Sequence, residues 1–183
     1  MRRSGELRIH RPRLVWAGLL LGLACAVAAQ GGGGPGECGG DEELAAWAER
    51  ARESRLYRFA VELFGEPVSC NATRSVFEGD ERRSLVFEFA GGARYRLATA
   101  PPETSGVSLA VPGGFHDEAA ARAALEAHCK AIGLDIDWSR PEVLEKGERR
   151  STRFWDPESG HNAAAQLVHE SGRLVEVGMS MAL

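Results

Sequence analysis

The chain has 183 residues, with 22 Lys and Arg against 26 Asp and Glu, and its formal charge at pH 7 is −4. That length suits one ordinary domain, or two small units sharing a core, and is short for two independent domains. The acidic balance lacks the clustered positive charge that phosphate backbones require, so nucleic acid is not an expected partner.

At the N-terminus, Arg2, Arg3, Arg8, Arg11 and Arg13 stand against a single acid, Glu6, and the uncharged run from Leu14 to Ala29 follows. A basic stretch before an apolar one reads as a signal peptide over residues 1–29, cleaved after Ala28 in Ala26-Val27-Ala28, or after Ala29. The run is short and wrongly flanked for a membrane span. A periplasmic or secreted protein is the expectation. The alternative is a lipoprotein acylated at Cys25, with Leu21-Gly22-Leu23-Ala24 before it, and only then is contact with a membrane expected. Loss of the leader removes five arginines and one glutamate, a net +4, and takes the formal charge to −8.

Residues 30–40 include Gly31 to Gly34, Pro35, Gly36, Gly39 and Gly40, can bury almost nothing, and read as a flexible tether. Asp41 then stands as a helix cap, with Glu42 and Glu43 at the positive end of the dipole. Apolar residues recur at helical spacing as Leu44, Trp47/Ala48 and Ala51, and again as Leu56, Phe59/Ala60 and Leu63/Phe64, until Gly65 and Pro67 stop the helix. A second helix is expected from Asp117 to Ile132, with Ala121, Leu125, Cys129 and Ile132 on one face and Gly133 as its stop. Elsewhere the period changes to two, and strands are expected near 73–78, 84–89, 94–99 and 106–111, then 142–145, 150–155, 162–169 and 173–181.

Each helix is thus followed by a meander, which divides the chain into units 41–115 and 116–183. Laid over each other, the thirteen residues from Val76 to Glu88 and the thirteen from Val143 to Trp155 are identical at seven positions, among them Glu81-Arg82-Arg83-Ser84 and Glu148-Arg149-Arg150-Ser151. One more residue of shift sets Gly65 on Gly133, and Val107, Leu109 and Val111 on Val175, Val177 and Met179. The expected fold is α+β, built as two α-β-β-β-β repeats with each helix packed on an antiparallel sheet. This order of elements, with the Phe64-Gly65 and Ile132-Gly133 helix ends and the two Glu-Arg-Arg-Ser hairpins, resembles PepSY-like domains of exported bacterial proteins and the tandem helix-and-sheet architecture of the β-lactamase inhibitory protein family. The resemblance implies a non-catalytic interaction role in the bacterial envelope.

Outside the leader there are three cysteines, Cys38, Cys70 and Cys129. A straight first helix of about 22 residues would hold Cys38 and Cys70 roughly 33 Å apart, so joining them would need a bent helix. Cys70 and Cys129 both lie near helix C-termini and are the expected disulfide; three free thiols are the alternative.

Reactive constellations are few. Asp156, Glu158 and His161, with His169 further along, are the nearest approach to a metal set, and a polar hairpin tip accounts for them without an ion. His128-Cys129 is the one adjacent base and thiol, but neighbours on a helix point about 100° apart. Arg82-Arg83 and Arg149-Arg150 would offer two anion spots, or merely solvated hairpin turns. No catalytic residue, metal ligand or cofactor is implied. Pro101 and Pro102 stiffen a loop that is either a plain rigid connection or, with Trp155, Asp156 and His161, a contact surface for a protein or envelope partner, which could also be met by the sheet face. A small exported hydrolase using Asp156 and His161, or a carrier with an apolar pocket between helix and sheet, are the alternatives.

Overall fold

The computed structural model describes Cys38 and residues 42–77, 80–100, 104–160 and 162–182. The expected leader, and the tether apart from Cys38, lie outside the described residues.

The first helical segment is two helices, α1 (Glu42–Arg52) and α2 (Arg55–Phe64). Ser54 adopts an extended backbone between them, and its hydroxyl accepts the Tyr57 N–H, starting a new helix with its own N-cap. Gly65 closes α2 at φ +79°, a conformation that costs other residues a clash at Cβ. The third helix, α3 (Glu118–Ala131), starts where Asp117 accepts the Ala120 N–H at 2.8 Å.

Eight strands form where the alternation places them: β1 (Ser69–Phe77), β2 (Asp80–Glu88), β3 (Arg94–Ala100), β4 (Thr104–Ala110), β5 (Pro141–Lys146), β6 (Arg149–Trp155), β7 (Ala163–Glu170) and β8 (Arg173–Ala182). They make one antiparallel sheet in the order β1-β2-β3-β4-β8-β7-β6-β5. The seam between the two meanders is the β4–β8 ladder, in which Leu109 lies opposite Val177 and Ser108 opposite Gly178. Gly178 is required there, because a Cβ would meet the Val107 carbonyl oxygen at 2.7 Å.

All three helices belong to a mixed α/β molecule that is mostly sheet, and α2 and α3 pack against each other on one face, α2 over β3 and β4, α3 over β7 and β8. The core between the layers holds Leu56 and Ala60 of α2, Ala121 and Leu125 of α3, and Leu85, Phe87, Tyr95, Leu109 and Val177 of the sheet, all essentially inaccessible to water. Burial of each large side chain contributes on the order of 1.5–3 kcal/mol. The first meander adds an aromatic knot, with Tyr57 edge-on to Phe87 at 4.9 Å and to Tyr95 at 5.5 Å between ring centroids.

The expected Cys70–Cys129 disulfide does not form. Cys38 is bonded to Cys70, with their Cα atoms 4.7 Å apart, and Cys129 is free and buried. Two facts account for the correction. The break at Ser54 removes the straight helix that would have held Cys38 away. Cys70 lies on edge strand β1, four strands or roughly 19 Å of sheet from β8, beneath α3; that is far beyond the span of a disulfide.

Candidate functional site

The bend at Ser54 has a consequence for the space above the sheet. Because α1 leaves the line of α2, the helical layer does not close over the distal halves of β3, β4 and β8, and a cavity of about 470 Å³ opens there. Its floor is Leu97, Val107, Met179 and Met181; α1 contributes Trp47 and Ala51 to one wall, and α3 contributes His128, Ala131 and Ile132 to the other. Arg50, Glu53 and Arg55 stand at the bend.

Two polar elements interrupt these apolar walls. Tyr95 reaches Ser54, hydroxyl to hydroxyl at 3.0 Å, so Ser54 both caps α2 and anchors a core tyrosine. Burial pushes the Tyr95 phenol up to about 12, which keeps it neutral. His128 is only 6% exposed, and its imidazole makes no hydrogen bond within the described chain. Burial lowers its pKa, so the imidazole is neutral at pH 7 and offers one N–H and one lone pair to whatever occupies the cavity.

Cys129, the next residue, faces the core, and burial pushes its thiol up to about 12. A protonated thiol is a poor nucleophile, and its neighbour His128 faces the cavity instead. Among the described residues, no three His, Cys, Asp or Glu side chains gather as a metal set, and no helix is long and apolar enough to cross a membrane.

Of the residues expected to contact a partner, Pro101, Pro102 and His161 lie outside the described residues. Trp155 is half-buried and its indole N–H donates to Glu142 at 3.0 Å. Asp156 is 5% exposed, and its carboxylate accepts the Glu158 N–H at 2.9 Å, capping a short 3-10 turn. His169 lies at the other end of β7, 3.7 Å from Glu118. The arginine pairs are largely engaged within the chain: Arg83 with Glu43 and Glu81, Arg149 with Glu176, and Arg150 with Glu145.

The cavity residues escaped the sequence reading because they come from three helices and three strands. One local signal pointed to the bend. Apolar residues three or four apart run to Ala51 and resume at Leu56, and that slip of phase brackets Ser54, a residue suited to a cap. No family model, curated protein or solved structure matches the chain.

Proposed function

We propose that this chain is an exported, non-catalytic binding protein that holds a small apolar ligand in the cavity between the α1–α2 bend, the end of α3 and the sheet. The observation that carries this reading is the cavity itself, whose volume of about 470 Å³ and apolar floor with a few convergent polar groups suit a small-molecule site. The recess on the outer sheet face is smaller, about 280 Å³, and has Arg96, Ser108, Gln166 and Glu176 in its lining. The hydrolase alternative draws no support from Asp156, which is committed to capping a turn.

Export is supported by the basic and apolar pattern of residues 1–29 and by the Cys38–Cys70 disulfide, a bond that persists in oxidising compartments. Intact mass of the protein from its native envelope fraction discriminates the two forms: cleavage near Ala28 or Ala29 supports a soluble protein, and a chain beginning at acylated Cys25 replaces it with a lipoprotein. We read the two helix-and-meander units as a duplication, supported by the mirrored strand order and by the meeting of their last strands at the seam. The hairpin turns correspond two residues away from the best sequence overlay, Phe77 facing Asp80 and Lys146 facing Arg149, which preserves the faces of the strands. Failure of the two units to superpose through helix and all four strands in an experimental structure would overturn this.

The ligand reading is tested by titrating a neutral fluorescent probe, 1-aminoanthracene, into the wild-type protein and into Ala131→Trp, which adds an indole at the exposed lip of the cavity. Saturable enhancement in the first, at least tenfold weaker in the second with unchanged melting temperature, is the expected result. Equal binding by both would place the probe elsewhere and remove the cavity from the argument.

A further inference from the structure

Resting on the cavity reading above, we infer that the natural occupant is an anionic amphiphile, an apolar chain bearing a carboxylate-like head, with the head held between Arg50 and Arg55 on one side and His128 on the other.

The charges at the bend carry this. Arg50 and Arg55 both line the cavity and are exposed, and neither meets a carboxylate among the described residues, whereas Arg74, Arg83, Arg94 and Arg122 each pair with a glutamate. Glu53 shares the rim, which leaves it with one net positive charge. In a chain with excess acid, a positive rim around an uncharged recess selects for negative charge at the mouth and apolar surface within.

His128 supplies a polar group on the opposite wall that can meet the head of the occupant. It is 6% exposed and lines the cavity, and its imidazole bonds to no group of the described chain. Its imidazole N–H is therefore open to donation to a ligand oxygen in the cavity. The tail then lies on Leu97, Met179 and Met181, where the two unbranched methionines adapt to chains of different length.

The test compares three ligands with the same ten-carbon chain: decanoate, 1-decanol and decyltrimethylammonium, by calorimetric titration into the whole chain at low salt. Decanoate is expected to bind at least tenfold tighter than decanol, with the ammonium weakest, and the preference is expected to shrink as salt is raised. The double variant Arg50→Gln/Arg55→Gln is expected to abolish the preference for decanoate while decanol affinity stays within twofold, and His128→Phe to weaken decanoate more than decanol. Equal binding of all three chains by the wild type would overturn the anionic head and leave the cavity reading standing. Binding of none, or binding unaffected by Ala131→Trp, would overturn both.

Discussion

The two halves of the sheet are covered in different ways. Over β3 and β4 the helical layer turns at Ser54 into helices of 11 and 10 residues, whereas over β7 and β8 the single α3 runs for 14 residues without a break. The first half compensates with an aromatic knot around Phe87 and with the Cys38–Cys70 disulfide; the second sets Ala165 and Leu167 of β7 in the core and leaves its cysteine unbonded. A continuous helix closes over the sheet, and a bent one leaves room for a ligand at the price of other reinforcement.

The largest expected effect that sharpens this contrast is truncation in the knot. Phe87→Ala, at a fully buried site touching two tyrosine rings, should cost about 3–5 kcal/mol in urea unfolding. Phe154→Ala in the second half, 5% exposed and packed on Trp138, should cost less. A greater loss at Phe154 would reverse the assignment of the stiffer half.

Next comes the disulfide, which closes a loop of 32 residues and should contribute about 3–4 kcal/mol by restricting the unfolded chain. Reduction should lower the unfolding midpoint of the wild type and of Cys129→Ala alike, and leave Cys38→Ala/Cys70→Ala unchanged. Sensitivity to reduction in that double variant would show that another thiol pair had been overlooked.

Smaller effects separate the helix starts. Asp117→Ala should cost about 1 kcal/mol as a lost cap, and Ser54→Ala should cost more, up to about 2 kcal/mol, because it also strips the buried Tyr95 hydroxyl of its partner. Equal losses would mean that the Ser54–Tyr95 bond adds nothing to the bend.

The smallest effect is a pH dependence. Since burial depresses the pKa of His128 in the folded state, the unfolded chain binds more protons below about 6.5, and stability should fall as pH drops from there toward the folded value. The slope is at most about 1.4 kcal/mol per pH unit. Glu43 and Asp137 are also depressed, Glu43 by Arg83 and Arg74 and Asp137 by Ser139, but from carboxylate values, so their effect falls below the window from pH 7 to 5. His128→Phe should flatten the urea midpoint across that window.

Much of the chain was legible before folding, because it is written in short-range chemistry. Alternation of apolar residues is a property of adjacent positions, so the eight strands fell near their expected places, and Asp117, Gly65 and Gly133 mark helix ends through capping and positive φ. The slip of phase between Ala51 and Leu56 was legible too, but a single residue of register is easily absorbed into one long helix. The disulfide partner of Cys70, the β4–β8 seam and the company of His128 were not legible, since each depends on where separate elements meet. Residue by residue, the sequence determined which segments become helix and strand and which faces turn inward. Tertiary structure decided that Cys38 reaches Cys70 and that a cavity remains above the seam, because closure of a core is set by the angle between helices, and that angle is a contact between residues distant in the chain.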